Sequence, residues 1–227
     1  MGDEVYGMSD WFADGAAAEY CLTLPQNISA KPTLLTHEAA ATVPIAALTA
    51  WQGLVDRAMI RPGERILVHG GAGAVGLFAV QLARRHGAYV IATVSARDSD
   101  FIKQLGANEA IDYAATRFEQ VVGDVDVIFD TVGGETLHRS WGVLKCGGRM
   151  ITIAADSEGT SDPRIKDAFF IVEPKQSQLT EVAKLIDAGH LKTFVKATVP
   201  LKDAAAAYDG SLAHGSGPGK IVISISA

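Results

Sequence analysis

The stretch RILVHGGAGAVGLFAVQLA, residues 65–83, limits the possible folds more than any other part of the chain. Ile66, Leu67 and Val68 form a short apolar run behind the turn pair Pro62-Gly63. Glycines follow, and then Val75, Phe78, Ala79, Leu82 and Ala83 recur at the spacing of one helix face. Strand, glycine turn and helix in direct succession is the context that gives meaning to G-x-G-x-x-G, here Gly71, Gly73 and Gly76. The chain must turn sharply off the strand, which calls for positive φ at a glycine. A pyrophosphate must approach the backbone where a Cβ would otherwise stand, and the last glycine lets the helix pack on the sheet. The amides and positive dipole end of the helix at Val75 then face the phosphate charge. The bland alternative is a tight βα turn that holds no ligand.

The pattern continues beyond the turn. Strands are predicted at 66–68, 89–93, 110–112, 125–129, 150–153 and 169–172. Helices are predicted around 75–83, 99–105 and 137–144, the last on the spacing of Leu137, Trp141 and Leu144 before Gly147-Gly148. Such alternation implies an α/β fold with a doubly wound parallel sheet of the Rossmann type. The flanks read differently. Strand-like pieces fall at 18–24, Thr36 suits the N-cap of a helix through Ala41, and Pro44 interrupts before a helical stretch at 48–58. After Pro174 come an amphipathic helix on Leu179, Val182, Ala183 and Ile186, a helix at 204–208 and a strand at 220–225.

Composition narrows the partners. A chain of 227 residues, 48% hydrophobic and 20% charged, can bury one large domain or a main domain with a smaller one. Its net charge of −6, with no basic stripe, argues against nucleic acid or an anionic membrane surface. No apolar run approaches the ~20 residues of a membrane span. The opening MGDEVYGM is acidic where a signal peptide is basic, so a cytosolic protein is expected. The two cysteines, Cys21 and Cys146, form no Cys-x-x-Cys, and the six histidines lack ligand spacing. His37-Glu38 opens like a zinc-protease motif, but Ala41 stands where its second histidine belongs. No metal site is expected.

The end of the second strand bears on which dinucleotide fits. An NAD site usually carries an acid there, about 20 residues after the glycines, to bind the ribose hydroxyls. Here Ala92-Thr93-Val94-Ser95 carries none, and Arg97 follows. Ser95 and Arg97 can hydrogen-bond a 2′-phosphate, so NADP (as NADPH) is favoured over NAD. A solvated turn arginine is the alternative for Arg97.

HGGAGAVG, followed by LGANEAIDY and VDVIFDTVGG, resembles the medium-chain dehydrogenase/reductase superfamily in its zinc-independent NADPH:quinone oxidoreductase branch. GDEVYGM, AAAEYCLTLP, TAWQGL, QLTEVAKLIDAGHLK and PGKIVI resemble further family stretches in the family's order. The resemblance implies a Rossmann domain at 46–174, with parts of a GroES-like β-rich catalytic domain at 1–45 and 175–227. It implies hydride transfer from NADPH to a quinone or other α,β-unsaturated carbonyl without metal. Gly73, Ala74 and Val75 would hold the pyrophosphate, and Thr49 the nicotinamide carboxamide. Tyr113 would lie by the 2′-phosphate with Ser95 and Arg97. Val132 and Ala154 would line the nicotinamide side, and Phe170, Val172 and Lys220 would close over it. Val132, Phe170 and Val172 could equally be plain core, and Thr49 a helix residue bonding its own backbone.

The resemblance also implies a dimer through the edge strand at 169–172. Two departures qualify it. Ile45 falls near the position of a zinc-ligand cysteine in the alcohol dehydrogenase branch. GDEVYG follows Met1 directly, whereas the family places most of its catalytic domain before it. The cofactor site is therefore expected to be largely complete and the front of the substrate pocket missing, with poor turnover and self-association. An NADPH-binding module without turnover is the rival reading. A short-chain dehydrogenase is disfavoured because none of the tyrosines begins Tyr-x-x-x-Lys.

Overall fold

Ile66, Leu67 and Val68 are all fully buried, as are Val90, Ile91 and Ala92, and Val127, Ile128 and Phe129. Consecutive burial of this kind is what strands covered on both faces require. The computed structural model describes residues 2–9, 16–209 and 217–225. In chain order the elements are β1 (Val5–Gly7), β2 (Ile28–Ala30), α1 (His37–Ala41), α2 (Pro44–Trp51), a π-helical segment (Gln52–Arg57), β3 (Arg65–His69), α3 (Ala74–Arg85), β4 (Tyr89–Val94), α4 (Ser99–Leu105), β5 (Glu109–Asp112), β6 (Val125–Asp130), α5 (Gly134–Ser140), β7 (Leu144–Thr152), α6 (Pro163–Ala168), α7 (Gln176–Asp187), β8 (Val195–Pro200), α8 (Ala204–Asp209) and β9 (Lys220–Ser224).

The chain divides into two compact units, residues 49–172 and residues 1–48 with 173–227. The first holds a five-stranded parallel sheet in the order β5-β4-β3-β6-β7. α3 packs on β3 and β4, α4 on β4 and β5, and the two helices on each other. Leu67, Ile91, Ile111, Ile128, Leu137 and Met150 belong to one continuous core cluster. The second unit holds the antiparallel pair β1-β2 and the parallel pair β8-β9. Its long helix α7 is tied to β1 and β2 by Tyr6, whose hydroxyl donates to Leu179 O at 2.6 Å, and by the Ser29–Thr180 hydroxyl pair at 2.9 Å. Thr36 caps α1, accepting from Ala39 N at 3.2 Å.

Several expectations need correction. Residues 18–24 form no strand, and Tyr20 and Leu22 are more than nine-tenths exposed. Extended chain becomes a strand only where another backbone completes its ladder, and among the described residues β1 pairs with β2. Residues 169–172 are not a sixth strand either. One bridge, Thr152 to Phe169, joins the last residue of β7, after which the chain turns at 155–157 and leaves nothing to pair. The edge expected to carry a dimer contact is therefore not a strand. Leu144 opens β7 rather than closing a helix: α5 ends at Ser140, and Val125 N donates to Val143 O at 3.1 Å. Gly147 and Gly148 lie inside β7, Gly147 at φ +74°. Pro44 does mark the break after α1, but the second helix starts on it rather than at Leu48, since a first-turn residue needs no amide donor. The expected 48–58 helix is α-helical only to Trp51 and then widens into the π-helical segment, where Gly53 lies so close to Phe129 that a Cβ would stand 2.3 Å from its ring.

Candidate dinucleotide-binding site

In the order β5-β4-β3-β6-β7 the chain leaves β3 in opposite directions, so a crevice opens between the carboxyl ends of β3 and β6. The turn at 70–73 forms one wall of it and Thr131 to Gly133 the other. Thr131 Oγ1 donates to His69 O at 2.8 Å and joins the two walls.

The turn assigns its glycines differently from the motif spacing. The positive φ, +71°, belongs to Gly70 rather than to Gly71. A Cβ on Gly70 would also stand 2.4 Å from Thr131 Oγ1. Gly71 is needed because a Cβ there would meet Ala92 Cβ at 2.8 Å, and Gly76 because its Cβ would meet Gly70 O at 2.1 Å. These two pack the turn and α3 against the sheet. Gly73 is different: it is exposed, and a Cβ would meet only Gly70 O, at 3.1 Å. It is the N-cap of α3, with no side chain capping the helix and no acid in the first turn. Ala74 and Val75 follow it, half-buried. Twelve residues of helix thus present first-turn amides and a positive dipole end beside bare backbone. That cradle suits a pyrophosphate.

A buried histidine holds the turn in place. Ser140 Oγ donates to Thr136 O at 2.6 Å, so it must accept from His69 Nε2 at 2.9 Å. His69 Nδ1 then accepts from Thr93 Oγ1 at 3.1 Å, and Thr93 Oγ1 accepts from Gly70 N at 3.3 Å. The network assigns the Nε2–H tautomer. Burial, reinforced by the Arg139 charge, pushes the imidazole down to about 3, so it is neutral at pH 7. Gly71 N adds a bond to Thr93 O at 3.0 Å.

The opposite wall rests on Asp130, the fully buried last residue of β6. Its carboxylate accepts from Val132 N at 3.1 Å, from Gly133 N at 3.1 and 3.2 Å, and from Thr152 Oγ1 at 2.8 Å. Burial raises its pKa, while these donors favour the charged form. Thr152 Oγ1 accepts in turn from Ala154 N at 3.3 Å. Val132, half-exposed, and Ala154, buried, are thereby fixed at neighbouring strand ends. A Cβ on Gly133 would stand 2.6 Å from Ala154 Cβ. The motif had not shown Gly70, His69, Thr93, Asp130 and Thr152 as supports, although HGG and FDTVGG carry three of them.

Ser95, Arg97 and Tyr113 gather at the ends of β4 and β5, whose last residues Val94 and Asp112 are paired. Tyr113 N donates to Val94 O at 3.1 Å and its side chain is largely exposed. Arg97 is 73% exposed. The sequence reading found no acid here, but Asp98 supplies one. Ser95 Oγ donates to Asp98 Oδ2 at 2.6 Å, and Arg97 Nε lies 3.6 Å from the same oxygen. Thr49, Phe170 and Val172 are buried in the same unit, and the Arg57 guanidinium lies 4.7 Å from the centre of the Phe170 ring. Lys220 opens β9 in the other unit, where burial lowers the pKa of its amine. Among the described residues no three His, Cys, Asp or Glu side chains are grouped to hold a metal ion, and Cys21 and Cys146 are exposed thiols. No helix among them is long and apolar enough to cross a membrane.

Comparison with known proteins agrees with this geometry. The zinc-binding dehydrogenase family matches residues 105–223. A probable zinc-binding oxidoreductase, mitochondrial, of Arthroderma benhamiae is 34% identical over 92% of this chain and 69% of its own length. The NAD(P)H oxidoreductase RTN4IP1, mitochondrial, of Mus musculus is 30% identical over 99% of this chain and 65% of its own length. The chain thus spans about two thirds of each relative, and both carry a mitochondrial description where the sequence reading expects a cytosolic protein. A solved quinone oxidoreductase from Coxiella burnetii superposes with a TM-score of 0.90 at 30% identity, over 100% of this chain and 73% of that one. With the five-stranded parallel sheet and glycine turn on the same residues as the motif, the chain belongs to the zinc-binding dehydrogenase family of the medium-chain dehydrogenase/reductase superfamily.

Proposed function

We propose that this chain carries the NADPH-binding part of an oxidoreductase that reduces a quinone or other α,β-unsaturated carbonyl without a metal ion. The observation behind this reading is the bare backbone of Gly73 at the uncapped start of α3, opening on the β3–β6 crevice. A nicotinamide dinucleotide, when bound, supplies the hydride. The chain's residues bind and orient. Ala74 and Val75 hold the pyrophosphate through their amides beside the bare Cα of Gly73, whose own N–H donates to Gly70 O at 2.9 Å, with Gly71 and Gly76 letting the turn close. Ser95, Arg97 and Tyr113 hold the adenosine 2′-phosphate with charged and neutral hydrogen bonds. Val132 and Ala154 give the nicotinamide an apolar wall without an exchangeable proton, and Thr49 orients its carboxamide. Phe170 and Val172 complete that side and exclude water. With no metal, rate comes from orientation and exclusion of water.

Three observations favour this reading: a NAD(P)H oxidoreductase and a quinone oxidoreductase among the relatives, a donor set without grouped metal ligands among the described residues, and Ile45 near the family's zinc-cysteine position. The test is steady-state oxidation of NADPH and NADH with a series of quinones and enones, with and without a chelator. NADPH should be the better donor, with rates untouched by the chelator. Tight NADPH binding with no turnover on any acceptor would reduce the chain to a binding module. Activity that appears only on adding zinc would overturn the metal-free mechanism.

A further inference from the structure

Asp98 stands at the N-cap of α4, a position where aspartate normally accepts from the helix's own first-turn amides. It makes no such bond. Its carboxylate turns back instead to Ser95 Oγ at 2.6 Å and Arg97 Nε at 3.6 Å, both contacts falling on Oδ2. A short turn over Ala96–Asp98, in which Asp98 N donates to Ser95 O at 2.9 Å, brings the three residues together. The Asp98 side chain is only 14% exposed, against 73% for Arg97.

We propose that Asp98 is a specificity-determining residue that restrains the preference for a 2′-phosphorylated dinucleotide. The inference rests on the cofactor reading above. Three effects act in one direction. The Ser95 hydroxyl proton is committed to Asp98 and must be taken from it before it can reach a phosphate. The Arg97 charge is partly offset by a carboxylate at 3.6 Å. A phosphate oxygen bonded to Ser95 Oγ lies roughly 5 Å from Asp98 Oδ2, close enough for like-charge repulsion to cost affinity. A ribose 2′-hydroxyl meets none of these penalties, because it can donate to the carboxylate through Oδ1. The site therefore accepts both dinucleotides and prefers the phosphorylated one less than Ser95 and Arg97 alone would dictate.

The test is Asp98→Asn, which keeps the side chain's size and its ability to accept from Ser95 while removing the charge. Calorimetric titrations with NADPH, NADH, 2′-AMP and 5′-AMP would be run on the wild type and the variant, at low and high salt. Asp98→Asn should raise NADPH and 2′-AMP affinity roughly tenfold and leave NADH unchanged or weaker, because its 2′-hydroxyl loses a carboxylate acceptor. The gain should shrink at high salt, as repulsion between partly exposed charges does and a packing change does not. The Arg97→Ala background should also reduce it. An unchanged NADPH-to-NADH ratio, or a shift toward NADH, overturns the role of Asp98. Failure of both proteins to bind any of the four ligands removes the cofactor reading, and Asp98's role with it. Asp98→Ala, melted alongside, shows whether loss of the side chain disturbs α4; a shifted ratio in Asp98→Asn at unchanged melting temperature supports the role.

Discussion

At the end of β3 the proposed nucleotide rim presents backbone, and at the ends of β4 and β5 it presents side chains. The first region is rigid from beneath. Gly70 takes the positive φ, Gly71 and Gly76 pack without room for a methyl group, and the neutral His69 joins Thr93 to Ser140 under the turn. The second lies at the surface, where Arg97 and Tyr113 reach into solvent and Asp98 answers Ser95. On the proposed function, affinity for the part common to all dinucleotides rests on exposed backbone at the start of α3, held by Gly70, Gly71 and Gly76 beneath it, which tolerate almost no substitution. On the same proposal, discrimination between dinucleotides is left to a few exposed groups that a single charge can retune.

Substitutions at the two regions should therefore fail in different ways. The largest effect is expected at Gly76→Ala. In a helix this exchange ordinarily stabilises by about 1 kcal/mol. Here the new Cβ would stand 2.1 Å from Gly70 O and 2.8 Å from Gly71 Cα. A loss on the order of 3 kcal/mol in denaturant unfolding is expected, and a neutral result would mean the turn can relax. Next comes Asp130→Ala, which strands the Val132 and Gly133 amides and the Thr152 hydroxyl. It should cost about 2–3 kcal/mol and loosen the second wall, read as faster hydrogen exchange at 131–133.

His69 gives the comparison a pH signature. Its folded pKa, down at about 3, lies below the ordinary value of 6.5, so the unfolded chain binds the extra proton between these limits. Its contribution is fully present above about pH 6.5 and is lost as pH falls toward 3, by about 1.4 kcal/mol per unit, or roughly 2 kcal/mol between pH 7 and 5. His69→Gln should flatten that part of the stability profile. An unchanged slope would show that other groups set it. The smallest effect belongs to the exposed edge. Arg97→Ala should weaken NADPH binding about tenfold, or ~1.4 kcal/mol, and leave both NADH binding and stability nearly unchanged. The loss is modest because Arg97 is exposed and faces Asp98. Equal losses for the two cofactors would mean that Arg97 does not read the phosphate.

The sheet was legible because three signals coincide in residues 65–94: buried apolar runs, a glycine turn and helical spacing. What the sequence hid depends on neighbours distant along the chain. Ser140 lies 71 positions from His69, and no local pattern marks their contact. Gly70 escaped because two adjacent glycines allow the motif to be read from the second, while the strand's last carbonyl requires the first to turn. Leu144 matched helical spacing with Leu137 and Trp141, yet Gly142 and the pairing with Val125 made it a strand. β8, whose partner β9 comes 20 residues after its end, was not foreseen at all. Asp98 was passed over because an acid is sought at the strand end, and only the 96–98 turn brings it back to Ser95.

The central claim, that the start of α3 is a pyrophosphate cradle, is tested most directly at Gly73. Its φ of −73° and ψ of 167° suit any residue, and a Cβ would approach only Gly70 O, at 3.1 Å. Aspartate is a favoured N-cap, which offsets the few tenths of an ångström that Gly70 O must give, so Gly73→Asp should melt close to the parent. The same carboxylate would occupy the place of the pyrophosphate and repel it. Calorimetry on Gly73→Asp should show NADPH and NADH both weakened by roughly a hundredfold or more, at a melting temperature close to the parent's. Binding of both cofactors within about twofold of the wild type would contradict the account, because the phosphates would then lie elsewhere.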